Sequence, residues 1–479
     1  MRGEVLVGAF TALLISACAV GPDYRRPDIP APEVFQYEPD NAAATSDTQW
    51  WRQFGDPVLD DLISEALANN TDVRIATANV QKAASILMQT RSAFYPQVGY
   101  GIAGGESGGA GSSELSDLPV FPGSEESYQA LLSASWEIDL WGRIRRLSES
   151  ARARLLATGE ARRGVILSLV ATVANSYLEL RALDEQLTVA NATLETYRES
   201  VRLFELQFQY GQVSMMTVAQ SQSQYQVAAA QIPQIEAQIA QTQNALSVLV
   251  GRNPGPVVRG KPIGELLQPE VPAGVPSSLL ERRPDLLQAE QQLIAANAQI
   301  GAAKARYFPA ISLTGALGRV SPDLSDLFSG SDSLWTYKGS VTGPIFAGGV
   351  IRGGVAEARA VTEAALLNYE LSIRNAFADV DNALVANLKL QQQLVAQTNL
   401  VNALREYSRL ARLQYDEGYT DYTTVLQAEQ SLFPAELELA AVRASVLGSA
   451  VNIYRAMGGG WVTEADQMTV SKTKSVESK

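Results

Sequence analysis

The sequence has no histidine and only one cysteine among its 479 residues. Zinc sites built from Cys and His, Ser-His-Asp or Cys-His catalytic groups, and disulfides within the chain are therefore excluded. Nothing resembles a nucleotide-binding loop, and the scattered Asp and Glu follow no pattern of a carboxylate enzyme. We therefore predict a protein that is not an enzyme and that needs neither a cofactor nor a metal ion.

Positive charge and long apolar runs are also scarce. The chain carries 38 Lys and Arg against 51 Asp and Glu, a net charge of −13. Nucleic acid is not an expected partner, because binding phosphates requires clustered cations. Beyond the N-terminus no stretch reaches the roughly 18 apolar residues of a membrane helix. If the chain spans a membrane, strands must therefore do it.

The N-terminus has the layout of a lipoprotein signal peptide over residues 1–17. Arg2 precedes an apolar run that ends with Ser-Ala before Cys18, and such a run is typical of a secretory signal. Cleavage would leave Cys18 as an acylated N-terminus, and several acyl chains give stable membrane anchoring. An ordinary signal with an incidental Cys18 is the alternative. Residues 18–56, rich in Pro and Asp, are predicted to form a lipid-anchored, irregular leader.

The remainder of the chain is duplicated. The stretch from Asp72 to Pro96 aligns without a gap with the stretch from Asp285 to Pro309, a shift of 213 residues. Later glycines recur at shifts of 206, 207 and 207 residues: Gly142 with Gly348, Gly211 with Gly418, and Gly251 with Gly458. Such self-similarity indicates a repeat architecture. We predict a first repeat at 57–251, a joint at 252–276, a second repeat at 277–458 and a disordered tail at 459–479. The change in glycine spacing from 206 to 207 residues is expected to fall inside the long helices.

Each repeat contains two segments in which apolar and polar residues alternate. They lie at about 97–105 and 128–140 in the first repeat, and at about 310–318 and 335–345 in the second. Alternation over about ten residues is typical of transmembrane β-barrel strands, although two soluble hairpins remain the alternative. Four strands cannot close, and an open edge in lipid costs several kcal/mol for each unpaired group. An oligomer is therefore expected, and three chains would supply twelve strands.

Long helical patterns follow each strand pair. No proline interrupts residues 143–210, and a helix of that length would measure ~100 Å at about 1.5 Å per residue. Gly211 and Gly418 are predicted to reverse the chain, because glycine tolerates the positive φ of a tight turn. Each repeat should therefore contain a long antiparallel helix pair.

An ordered set of short motifs resembles the outer membrane factor family, in particular the efflux lipoproteins related to TolC, of the NodT type. The motifs are Cys18-Ala-Val-Gly-Pro-Asp-Tyr24, Trp50-Trp51, Tyr95-Pro96 with Phe308-Pro309, Leu140-Trp141-Gly142-Arg143 and Pro344-Ile-Phe-Ala-Gly-Gly349. The resemblance implies a homotrimer and a membrane α+β fold. A 12-stranded β-barrel, four strands per chain, would be continuous with a long periplasmic α-helical barrel.

The resemblance also implies a function and a place in the cell. The protein would be the exit duct of a tripartite efflux pump, passively conducting small molecules such as drugs. Its partners would be a periplasmic adaptor (membrane fusion) protein, an inner-membrane transporter, expected to be proton-driven, and outer membrane lipid. Ala19 after the acylated cysteine, rather than Asp, favours the outer membrane, from which the protein would extend into the periplasm. A duct for type I protein secretion, or a structural lipoprotein spacer without a pore, are the alternatives.

The family further implies a periplasmic gate where the last helix pair coils inward. Gln427 stands where the family pattern often has aspartate, and Gln430 where it often has a basic residue. Neighbouring acids would supply negative charge, although solvated tip residues are an equal alternative. The candidate gate residues are Asp416, Glu417, Asp421, Thr424, Gln427 and Gln430. The candidate tip turns and adaptor contacts are Gly211, Gln212, Gly418 and Tyr419. Because the two tip sequences diverge, we expect one helix pair to stand as wall and the other to bend inward.

Overall fold

The computed structural model describes residues 19–30, 32, 34–37, 49–106, 126–272, 276–329, 333–459, 461–462 and 465–466. The predicted signal peptide at 1–17 and the acylation site Cys18 lie outside these residues and stay predictions.

The described residues form eight α-helices and four strands. The helices are α1 (Pro57–Asn69), α2 (Thr71–Ser92), α3 (Arg143–Gln209), α4 (Met215–Leu249), α5 (Pro276–Arg282), α6 (Pro284–Ala305), α7 (Val350–Asp416) and α8 (Tyr422–Ala456). The strands are β1 (Gln97–Glu106), β2 (Glu126–Ile138), β3 (Ala310–Ser321) and β4 (Ser333–Thr342).

The duplication is visible in the helix bounds. Helices α2 and α6 both have 22 residues, α3 and α7 both have 67, and α4 and α8 both have 35. The expectation that the repeat spacing changes inside the long helices was wrong. Gly349, which lies 207 residues after Gly142, shares its positive φ (88° against 77°). The extra residue therefore precedes α7, since an insertion within a helix would rotate every later side chain by about 100°.

The chain forms two compact units, and each takes segments from both repeats. The first unit comprises Met1–Asp28, Val80–Ala157 and Ala289–Tyr369. The second comprises Ile29–Asn79, Thr158–Gln288 and Glu370–Lys479. The four strands belong to the first unit, whereas the tip turns and the largest hydrophobic core belong to the second.

The first unit contains an antiparallel sheet in the order β1-β2-β3-β4. Its register aligns four large apolar side chains in one row, all more than half exposed: Tyr100, Leu132, Leu317 and Trp335. The adjacent row points to the opposite face and is small or polar: Gly99, Ser133, Ala316 and Thr336. One uncovered apolar face and one polar face are the pattern of a transmembrane barrel.

Three predicted strand ends were wrong: β2 and β4 end earlier than predicted, and β3 continues to Ser321 rather than ending at residue 318. Strand β2 ends at Ile138 rather than at residue 140, because the Asp139 carboxylate accepts hydrogen bonds from the N–H groups of Ile144 (3.0 Å) and Arg145 (2.8 Å) and thereby caps α3. Strand β4 ends at Thr342 rather than at residue 345. Pro344 follows and has no N–H to donate to a ladder.

Aromatic residues of the leader form part of the core of the second unit. Trp50 is 1% exposed and stacks on Tyr454 at 5.5 Å between ring centroids, and Trp51 meets Trp461 edge-on at 4.9 Å. The expectation of a disordered tail from residue 459 was therefore wrong at its start, since burying a tryptophan removes a large apolar area from water. Residues 467–479 lie outside the described part.

Helix α3 contains a stretch of mean hydropathy 1.3 that is long and apolar enough to cross a membrane by composition alone. This corrects the expectation that no such stretch follows the N-terminus. In the fold, 61% of that stretch is buried inside the protein. Its apolar residues therefore serve the core of the second unit.

Candidate gate at the helix tips

Both long helices end in the same backbone motif. Gly211 has φ 72° and Gly418 has φ 78°, and neither would meet another atom within 4 Å if a Cβ were added. The following N–H groups, of Gln212 and Tyr419, donate to the carbonyl five residues earlier, each at 2.8 Å. This is the Schellman closure that glycine permits at a helix C-terminus. Adaptor contact at these four residues stays a prediction.

The two turns differ in how the next helix is capped. The Ser214 hydroxyl accepts a hydrogen bond from the Thr217 N–H at the start of α4. The Asp421 carboxylate makes no such bond at the start of α8. It is exposed instead, beside a pair of hydroxyls, Thr420 and Thr424, that lie 2.9 Å apart. At the turn between α7 and α8 the Asp421 carboxylate is thus exposed to solvent and does not cap the following helix.

A small hydrophobic cluster, the tip cluster, joins all four long helices. It comprises Phe204, Val218, Ala411, Tyr422, Val425, Leu426 and Ala428. The rings of Phe204 and Tyr422 are 4.0 Å apart between centroids, and Tyr415 lies 5.4 Å from Tyr422. The first helix pair therefore holds the second at the tip. Sequence reasoning missed this contact, although Ala411 is the repeat equivalent of Phe204, 207 residues later.

The predicted acids lie at the turn between α7 and α8. Asp416, Glu417 and Asp421 are all exposed. Asp416 pairs with Arg412, one turn earlier in α7, at 3.6 Å. An exposed pair of this kind contributes only about 0.3–0.5 kcal/mol. Among the described residues no group of three or more His, Cys, Asp or Glu is placed to hold a metal ion.

The predicted amides lie further along α8. Gln427 and Gln430 are exposed and three residues apart, so they share one face of the helix. Thr424 lies one turn earlier and is half-buried. Val425 of the tip cluster lies on the opposite face of α8. The structure therefore separates the candidate gate residues into acids at the turn and amides on the uncovered face of α8.

Two prolines make the helix pairs differ further. Pro434 lies within α8 and Pro233 within α4, and they are not repeat equivalents. Because proline has no N–H, the carbonyl four residues earlier, that of Gln430, loses its helical donor. In α8 the carbonyl that loses its helical hydrogen bond thus belongs to a candidate gate residue. This interruption of the helix lies closer to the tip than the one that Pro233 causes in α4.

A buried acid in α8 was also missed. One carboxylate oxygen of Glu429 is buried without a hydrogen-bond partner among the described residues. Burial raises the pKa of Glu429 to about 7, and the nearby Arg412 guanidinium opposes the shift. The phenols of Tyr197 and Tyr422 are its other titratable neighbours. Glu429 therefore exchanges a proton near neutral pH at the junction of the two helix pairs.

Replacing Glu429 should stabilise the tip only at high pH. Because the folded-state pKa exceeds the ordinary value of 4.5, the contribution of Glu429 to stability is complete below that value and is lost as the pH rises through 7. Glu429→Gln cannot ionise, so we expect its tip to gain roughly 1–3 kcal/mol at pH 8, the cost of ionising a carboxyl whose pKa is raised by burial, and little at pH 4.5. Amide hydrogen exchange in α8, compared with wild type at each pH, measures the difference.

An exposed acid nearby provides the control. Glu417→Gln removes the same charge from the solvent-exposed turn and should leave exchange in α8 unchanged at both pH values. A gain for Glu429→Gln that is equal at pH 4.5 and pH 8 would mean that the carboxylate is not ionised at the higher pH.

Comparison with known proteins places these features in a wider group. A family model described as outer membrane efflux protein matches residues 62–252 and 275–459. The chain is 35% identical over 479 residues to the probable efflux pump outer membrane protein TtgC of Pseudomonas putida, covering 98% of each chain. It is 35% identical over 456 residues to the cation efflux system protein CusC of Escherichia coli, covering 94% of this chain and 97% of that one.

A solved structure has the same fold. The open state of the Neisseria gonorrhoeae MtrE outer membrane channel aligns with a TM-score of 0.82 at 31% identity. The alignment covers 93% of this chain and 99% of that one. The similarity therefore extends over the strands, the long helices and their tips.

Proposed function

Because the chain belongs to the outer membrane efflux protein family, we propose that it is the exit duct of a tripartite efflux pump and passively conducts small molecules such as drugs out of the cell. The observation that carries this proposal is the four-stranded sheet with an uncovered apolar face and open edges at β1 and β4. In the family fold three chains pool their strands into a barrel of twelve, which leaves no unpaired edge in lipid.

The helix tips are the proposed docking site for a periplasmic adaptor protein, which would in turn bind a proton-driven inner-membrane transporter. Supporting this, three apolar side chains at the two turns are open to solvent: Tyr210 is 75% exposed, Met216 68% and Tyr419 83%. Exposed apolar groups of this kind mark interaction sites when they cluster. The energy for transport would come from these partners.

A lipid anchor at Cys18 completes the proposed attachment to the outer membrane. The Val20 N–H donates to the Trp141 carbonyl at 3.1 Å. This hydrogen bond holds the start of the leader just after β2, at the end of a membrane strand. An acyl chain on the residue two positions earlier would therefore reach the bilayer.

The gate proposal centres on Gln427, and a carboxylate at this position tests it. Three copies of Gln427→Asp around one narrow axis would repel one another and attract cations. We expect a current through planar bilayers that is more cation-selective than that of wild type. The selectivity should disappear as the pH falls and the carboxylates become protonated.

The repeat supplies a matched control for this experiment. Gln220 is exposed in α4 and lies 207 residues before Gln427, so Gln220→Asp adds the same charge to the other helix pair. Equal effects of the two variants would remove Gln427 from the gate. A monomeric mass with no conductance under any condition would contradict the duct itself.

A further inference from the structure

We propose that a cleft between α6 and α7 binds the phosphate headgroup of a phospholipid from the periplasmic leaflet of the outer membrane. The cleft has a volume of about 650 Å³. Its lining comprises Val20, Lys304, Tyr307, Phe308, Arg352, Val355, Ala356 and Arg359.

The charge of the cleft selects an anion. Lys304, Arg352 and Arg359 line it, and no acid does. Within the described part of the chain, none of these three cations forms an ion pair. Lysine and arginine donate charge-assisted hydrogen bonds to phosphate oxygens. The cleft therefore presents three cationic side chains to an anionic headgroup.

The shape of the lining favours an amphiphile over a free phosphate. Arg352 and Arg359 are seven residues apart, which places them on one face of α7 two turns apart. Between them lie Val355, which is 7% exposed, and Ala356. Tyr307, which is 51% exposed, lines the same cleft from the end of α6. Cations flanking an apolar floor fit a headgroup together with the beginning of its glycerol and acyl chains.

The position of the cleft coincides with the edge of the bilayer. Helix α6 ends at Ala305, five residues before β3 begins at Ala310, and α7 follows β4. Phe308 stacks on Trp141 at 4.6 Å between ring centroids, and aromatic side chains are enriched at membrane interfaces. Val20, in the lining, is separated from Cys18 by at most about 7 Å of extended chain.

All the residues that line the cleft belong to one chain, so each chain of a trimer carries a complete set of them. Helices α6 and α7 are joined to β3 and β4, which are neighbours in the sheet. In a closed trimeric barrel the chains meet where β1 and β4 form the sheet edges. Each chain would therefore hold one lipid, and the trimer three.

The first repeat lacks the same arrangement. Arg145, the repeat equivalent of Arg352, is neutralised by Asp139 at 3.5 Å. Glu149 takes the place of Ala356 and pairs with Arg146 at 2.9 Å. A carboxylate at this position would repel phosphate. Among the described residues, the duplication thus provides an internal comparison between a set of cations accompanied by acids in the first repeat and a set without acids in the second.

Lipid retention by the purified trimer tests the proposal. Native mass spectrometry with added dimyristoyl phosphatidylglycerol should show three retained lipids in wild type. The double variant Lys304→Gln/Arg359→Gln should bind lipid at least roughly tenfold more weakly, the effect of losing about one charge-assisted hydrogen bond. The repeat-equivalent double variant Arg91→Gln/Arg152→Gln removes the same charge from exposed positions and should bind like wild type.

Two further experiments distinguish lipid binding in the cleft from a nonspecific loss of charge and from binding of free phosphate. Ala356→Glu copies the first repeat at an exposed position and should also weaken binding, while the unfolding temperature of the trimer stays that of wild type. Inorganic phosphate should not displace the lipid. Equal lipid loss in both double variants, full retention in Ala356→Glu, or displacement by inorganic phosphate would each overturn the proposal.

Discussion

Leu317→Lys is expected to prevent assembly of the membrane barrel, whereas Ala316→Lys, one residue earlier in β3, should leave it intact. Leu317 is 60% exposed in the apolar row of the sheet, between Leu132 and Trp335. A lysine facing lipid costs roughly 2–4 kcal/mol near the bilayer midplane, and the trimer would carry three copies. Ala316 lies on the opposite face, between Ser133 and Thr336, where a charge would meet the aqueous channel.

The measurement is the fraction of trimer recovered from the outer membrane. Both variants carry the same new side chain, so a difference between them reports the face of the sheet and not the residue type. If Ala316→Lys failed to assemble and Leu317→Lys assembled normally, the faces would be assigned in reverse. Equal assembly would mean that neither face contacts lipid, which would contradict the barrel.

Phe204→Ala is expected to release the tip of the second helix pair. Phe204 is fully buried in the tip cluster, and its ring contacts that of Tyr422 at 4.0 Å. Removing a buried phenylalanine side chain costs about 3–5 kcal/mol. Because the tip cluster joins α3 to α8, this loss falls on the contact that holds the candidate gate helix against its neighbours.

Two measurements detect the release of the helix tip. Amide hydrogen exchange over residues 422–433 should accelerate, and conductance in planar bilayers should rise. Phe208→Ala is the control, since Phe208 lies one turn further along α3 and is 45% exposed. Similar acceleration in both variants would show general loosening of α3. Unchanged conductance despite faster exchange would separate the tip cluster from gating.

Much of the fold was predictable because its determinants are local or periodic. The alternation in the strands and the glycines at the tips act through a few neighbouring residues, and the structure has strands and turns at those places. The family resemblance is confirmed by the match over nearly the whole chain, and the fold that it implied is shared with a solved outer membrane channel. The strand ends were misplaced because they depend on side chains beyond the strand, such as Asp139 capping α3.

The candidate gate was predictable only in part. The exposed positions of Gln427 and Gln430 agree with a lining role, which stays a prediction until conductance is measured. Glu429 was missed because the sequence does not distinguish a buried glutamate from a solvated one; the burial of its carboxylate comes from tertiary packing. The packed start of the tail was missed for a similar reason, since Trp461 finds Trp51 more than 400 residues earlier in the chain.

Residue type and spacing along the chain were enough to predict the duplication, the four alternating strands, the long helices and the glycine turns. The tertiary packing was needed to show which aromatic rings join the two helix pairs, which acid is buried between them, and which cations line a cleft without an acid. Those properties depend on neighbours hundreds of residues away, and burial, not composition, sets their energies.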